Sequence, residues 1–193
     1  MPLIFACIAP HAGDLIPETI ADQNIVAPTR KSMYAMGSTL ESLKPETVVI
    51  INPHGFRVQG VLSVSVAERA TAYWASDVKL DFEMDPTIAN AIADKATEMN
   101  VPVVKYIYGA SSGPECFVPL DWGAVVPLYF MGHRFTPKPK IVHCSPMRTL
   151  PLATHYEFGR AIGRVLKESD KRIAFIASAD QGHAHDANGP YGY

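Results

Sequence analysis

Four nearly uninterrupted apolar runs set the strongest limit on what this chain can fold into: "LIFACIA" (3–9), "TVVIINP" (47–53), "KIVHCS" (140–145) and "RIAFIASA" (172–179). A strand with one wet face alternates apolar and polar residues, whereas a strand covered on both faces is apolar throughout. These four therefore read as central strands of a mainly parallel sheet. Between them lie segments of helical spacing. "TRKSMYAMGSTLESLK" (29–44) places Met33, Met36, Leu40 and Leu43 on one stripe. "DPTIANAIADKATEMN" (85–100) opens with an Asp cap followed by Pro and aligns Ile88, Ile92 and Ala96. "PLATHYEFGRAIGRVLKESD" (151–170) aligns Phe158, Ile162 and Leu166. Strand–helix alternation of this kind predicts an α/β fold: a single domain, 1–193, with a central, mainly parallel (mixed) sheet and helices on both faces. The segments 60–68 and 78–85 alternate instead and read as half-exposed, antiparallel strands; 101–109 reads as one further strand.

Composition narrows the partners. At 193 residues and 48% hydrophobic content the chain can bury a substantial core. A formal charge of −2 gives no electrostatic reason to expect nucleic acid or an anionic membrane as partner. The start has no basic n-region, and no stretch approaches the ~20 apolar residues of a membrane span. Cys7, Cys116 and Cys144 are an odd, scattered set without CxxC spacing, which predicts reduced thiols and a cytoplasmic protein.

The histidines carry the functional signal. His11 follows the first run in "CIAPHAGD", His54 follows the second in "INPHGF", and His183 and His185 follow the fourth in "SADQGHAHD". Three histidine-bearing loops thus leave the C-terminal ends of buried strands, the edge at which open α/β sheets bind ligands. Pro10 and Pro53 stiffen the backbone before His11 and His54. Strands pack ~4.8 Å apart, so imidazoles from adjacent strand ends can reach one metal ion. His143, inside a strand, reads as a satisfied core residue; His133 and His155 read as surface or helix-face residues. "GASSG" (109–113) matches the G-x-S-x-G pattern, but a nucleophile elbow needs a helix immediately after it. "PECFVPLDWG" follows, with Pro114 and Pro119, and 109–118 reads better as a loop.

Four segments together, "APHAGDLIPE" (9–18), "VVIINPHGF" (48–56), "PLDWGAVVPLYFMG" (119–132) and "FIASADQGHAHDANGPYG" (175–192), resemble the catalytic B-type subunit of class III extradiol ring-cleavage dioxygenases. That superfamily includes protocatechuate 4,5-dioxygenase and 2-aminophenol 1,6-dioxygenase. The resemblance implies a non-haem Fe(II) held by two histidines and a glutamate, with His11 and His54 on the histidine positions. It implies a small aromatic substrate, a catechol or 2-aminophenol, cleaved with O2, and a dimer or a paired second subunit. His183 falls on the acid/base position, with His185 second. Asp14, Trp122 and Tyr129 lie in matching segments and are expected near substrate. Two departures stand out. Trp122 occupies a position where many relatives carry histidine. The family's glutamate lies well C-terminal of "GHAH", and Tyr193 comes before any counterpart, so the chain is expected to lack a C-terminal portion, to hold iron weakly and to be poorly active. The alternatives are a non-catalytic partner or scaffold of the same fold, and a zinc-dependent hydrolase using the same histidines.

Overall fold

The computed structural model describes residues 3–17, 24, 26–74, 78–179 and 187–188. The chain runs β1 (Leu3–Ala9), α1 (Ala27–Ser42), β2 (Thr47–Ile51), β3 (Leu62–Ser65), β4 (Arg69–Trp74), β5 (Val78–Glu83) and α2 (Pro86–Glu98). It continues with β6 (Val103–Tyr106), β7 (Tyr108–Gly109), β8 (Cys116–Pro119), α3 (Trp122–Leu128), β9 (Lys140–Ser145), α4 (Leu152–Glu168) and β10 (Ile173–Ser178). The main sheet has the order β1-β10-β2-β9-β3-β6. Every pairing in it is parallel except β3 with β9. The four continuous apolar runs are thus its four contiguous parallel strands.

Alternate residues of β2 show why these runs have no polar phase. Val48 and Ile50 enter one core, with Met33 and Leu40 of α1 and the apolar length of α3. Val49 enters the other, with Ile88 and Ile92 of α2 and Phe158, Ile162 and Leu166 of α4. Helices therefore lie on both faces, as the periodicity requires. Each fully buried aliphatic side chain contributes about 1.5–3 kcal/mol, so the two-sided burial dominates the stability of these strands. Asp85 caps α2 by accepting from the Ile88 N–H at 3.2 Å.

Four expectations change. β1 is not a central strand: it forms one edge of the main sheet, and Ile8 is 60% exposed. The 60–68 run is not half-exposed: all of β3 is buried, and it joins the main sheet between β9 and β6. Its alternation comes from Ser63 and Ser65, two buried serines with partners; Ser63 donates to the Phe56 carbonyl at 2.5 Å. The 78–85 run is, as expected, a half-exposed antiparallel strand: β5 pairs with β4 in a second sheet of order β5-β4-β8-β7. The 101–109 run divides between the sheets as β6 and β7. Finally, 109–118 is not simply a loop, because Gly109 pairs with Cys116 in a short β7–β8 hairpin. No helix follows "GASSG" directly, which agrees with setting the serine-nucleophile reading aside.

Candidate metal centre

His11 and His54 meet above the C-terminal edge of the main sheet. Their Nε2 atoms lie 3.1 Å apart, with the rings nearly perpendicular at 86°. They do not come from adjacent strands: β10 lies between β1 and β2, so the two loops start about twice the ~4.8 Å strand spacing apart. The intervening strand is part of the site. Ser178, the last residue of β10, donates its hydroxyl proton to the Gly123 carbonyl at 2.5 Å. Its oxygen then accepts from His11 Nδ1 at 2.9 Å. A serine has one proton to give, so this arrangement places the His11 proton on Nδ1 and leaves the Nε2 lone pair facing His54. A hydrogen bond to one ring nitrogen that fixes the tautomer and orients the ring is the usual support of a metal-binding imidazole.

His54 is held from two sides. Its backbone N–H donates to Asn52 Oδ1 at 2.8 Å, and its ring packs on Trp122 with centroids 4.3 Å apart. Trp122 opens α3, whose cap, Asp121, accepts from the Gly123 N–H at 2.7 Å. Gly123 has to be small. A Cβ there would sit 2.7 Å from Asn52 Oδ1 and 3.1 Å from His54 Cδ2. The loop after β1 is tied down from α1, where buried Arg30 donates to the carbonyls of Leu15 at 2.8 Å and Asp14 at 2.9 Å.

These residues fit a metal ion. Two nitrogens 3.1 Å apart, each about 2.1 Å from one ion, subtend roughly 95°, close to the right angle of neighbouring octahedral positions. No group of three or more metal-ligating side chains forms among the described residues.

The other expected residues fall as follows. Trp122 is beside His54 and 42% exposed. Asp14 is exposed in a short 3-10 turn three residues after His11. Tyr129 is buried where α3 passes into a π-helical turn, Tyr129–His133, with its ring against Phe130 and His133. It is one helix length, about 10 Å, from Trp122. His183 and His185 lie outside the described residues. Ala179 donates to the Ala9 carbonyl at 3.0 Å, so the chain leaves β10 beside the end of β1 and short of His11. His143 is satisfied in the core, as expected, with 1% exposure. His155 is half-buried on α4, with Nδ1 3.1 Å from the Pro151 carbonyl. His133 is more enclosed than expected: its Nδ1 is buried without a partner among the described residues, and burial pushes its pKa down.

Sequence reasoning missed Ser178, Asn52 and Gly123. Each had a weak local signal, a polar or minimal residue at the end of an apolar run or just behind a helix cap. Their role depends on β10 lying between β1 and β2, which no local pattern encodes.

Residues 6–193 match the family described as the catalytic LigB subunit of aromatic ring-opening dioxygenase. Among curated proteins, Protein CA_C1420 of Clostridium acetobutylicum is 26% identical across 96% of this chain, and the chain spans 40% of that relative's length. With nearly all of its length matched and two histidines paired at the expected sheet edge, the chain belongs to the LigB family of aromatic ring-opening dioxygenases.

Proposed function

We propose that this chain carries out Fe(II)-dependent extradiol cleavage of a catechol- or 2-aminophenol-type ring with O2. The observation that carries the reading is the 3.1 Å approach of His11 and His54 Nε2, with Ser178 fixing the His11 tautomer. His11 and His54 are the residues that hold the metal. When bound, the ion supplies Lewis acidity toward a ring hydroxyl or amine and a shared centre for both reactants.

The chain's own side chains do the rest. Ser178 and Asn52 keep the two imidazoles in register, so little reorganisation accompanies binding. The exposed part of Trp122 is the surface we assign to stacking of the substrate ring. Asp14 and Tyr129 are assigned more distant parts in shaping the approach. His183 is assigned the proton transfers, taking a ring OH or NH proton and returning it as the ring opens, because an imidazole titrates near neutral pH. His185 is the second choice for that role. A cytoplasmic location and a dimeric or paired assembly belong to the same proposal. No described helix is long and apolar enough to cross a membrane.

The test is anaerobic loading with Fe(II), addition of catechol or 2-aminophenol, and then air. Uptake of one O2 per ring with a yellow ring-opened product supports the reading. Hydrolysis of esters or amides with zinc, without O2 uptake, would overturn it in favour of a hydrolase.

A further inference from the structure

Beneath His54 runs a chain of buried polar groups that the proposed reaction does not use directly. Asn52 Nδ2 lies 2.5 Å from His143 Nε2, and His143 Nδ1 lies 2.9 Å from the Tyr106 hydroxyl. Asn52, His143 and Tyr106 are 0%, 1% and 9% exposed. We infer that His143 is a positioning residue, locked as its Nδ1–H tautomer, which orients the Asn52 amide and through it holds the His54 loop. The inference rests on the reading of His54 as a metal ligand.

The direction of the chain follows from which groups can only donate. The His54 backbone N–H must donate, so the atom facing it at 2.8 Å is Asn52 Oδ1. That turns the Asn52 NH2, also donor only, toward His143 Nε2, which must accept. A neutral imidazole accepting at Nε2 carries its proton on Nδ1, and that proton points at the Tyr106 oxygen. Reversing any one group leaves two donors or two acceptors face to face inside the core, at a cost of about 1–3 kcal/mol for each unmet group.

Packing reinforces the polarity. A Cβ on Gly55 would collide with Ser145 Oγ and lie 2.6 Å from His143 Cε1. The loop that carries His54 therefore lies directly on the His143 ring. The neighbouring pair of β2 and β9 sets this spacing, since Ile50 and His143 are register partners. Burial also pushes the His143 pKa down, which keeps the ring neutral and able to accept. His143 itself is sealed from solvent, so it acts through Asn52 and does not contact substrate.

Two measurements on the metal-free full chain test this. Nitrogen-15 NMR at neutral pH should show His143 protonated at Nδ1 only; protonation at Nε2, or at both nitrogens, overturns the inference. Amide hydrogen exchange should show the His54 N–H exchanging about 10-fold faster in His143→Phe than in the wild type, with Val48–Ile50 unchanged. Unchanged protection at His54 would also overturn it. If His143→Phe does not fold, the tautomer in the wild type decides alone. In loaded protein the same variant should bind Co(II) about 10–100-fold more weakly. Neither metal-free readout depends on iron. If the wild type binds no metal, the ring-cleavage reading fails while these readouts still judge the brace.

Discussion

The two ends of the same parallel strands are built on opposite principles. At the N-terminal end, Asp85 is 2% exposed and fully occupied. It accepts from Lys171 Nζ at 2.5 Å, Thr47 Oγ1 at 2.8 Å and the Ile88 N–H at 3.2 Å. This one carboxylate links α2, β2 and the entry to β10. At the C-terminal end, two imidazole nitrogens face each other, and Asp121 Oδ2 and Ser145 Oγ are buried without partners among the described residues. Buried polar groups left unmatched lower stability, and they are tolerated where a ligand or a reaction uses them. One end of the sheet therefore closes the fold, and the other is the end to which the proposed metal site is assigned.

Substitutions at the two ends should separate these roles, and the largest effect belongs to the closed end. Asp85→Ala removes a buried ion-pair partner and a helix cap together. It should cost about 3 kcal/mol in urea unfolding, the low end for such pairs because Lys171 is 39% exposed. Metal binding by the protein that remains folded should not change. Loss of metal binding without loss of stability would erase the distinction between the ends.

Gly123→Ala acts at the open end by crowding. Its new methyl group would press on Asn52 and His54, with an expected cost of about 1–3 kcal/mol and a weakened metal site. A variant as stable as the wild type, with full metal affinity, would show that the close approach of α3 to His54 has no consequence.

Acid should unfold the two ends in sequence. His143 has a folded pKa below its ordinary ~6.5, so its neutral form is the one the fold accommodates. Its contribution is present above about pH 6.5 and is lost as pH falls toward its lower folded value. Burial alone would raise the Asp85 pKa, but the bonds from Lys171, Thr47 and the Ile88 N–H outweigh it and hold the carboxyl below its usual range. Its contribution is present above about pH 4 and is lost only below that. Each step should have a slope of at most about 1.4 kcal/mol per pH unit. His143→Phe should shrink the first step, to which His133 also contributes because burial lowers its pKa too, and Asp85→Asn should remove the second, measured as urea midpoints across pH; a first step undiminished in His143→Phe, or a second step kept in Asp85→Asn, would refute that assignment.

The smallest structural effect is expected at Trp122. Half-exposed and packed on His54, it should give up only about 0.5–1.5 kcal/mol on truncation to alanine. The KM for an aromatic substrate should rise while kcat changes less. A change in kcat alone would argue against ring stacking there.

The legible parts of this fold are those in which a residue's environment is set by its own segment. The strands 47–53, 140–145 and 172–179 were readable because covering both faces removes the polar phase, whereas 3–9 has the same apolar pattern although it lies at the sheet edge with Ile8 60% exposed. The helices were readable because α1, α2 and α4 each keep a wet side. The α3 helix was not, because Gly123–Leu128 is buried all round and carries Pro127 inside it, so it shows no amphipathic period. β3 was misread because Ser63 and Ser65 are buried but bonded, and in a sequence a satisfied serine looks the same as an exposed one. At the site, Pro-His after a strand pointed to His11 and His54. Ser178, Asn52 and His143 came into view only once the order β1-β10-β2-β9 placed them beside those histidines.

The central claim is that His11 and His54 form one metal-binding pair, and calorimetric titration tests it most directly. Anaerobic titration of the wild type, His11→Ala and His54→Ala with Fe(II) or Co(II) should show one ion per wild-type chain. Either substitution should weaken that binding by roughly 100-fold or more, with little change in urea stability. Metal binding that survives both single substitutions unchanged would contradict the account.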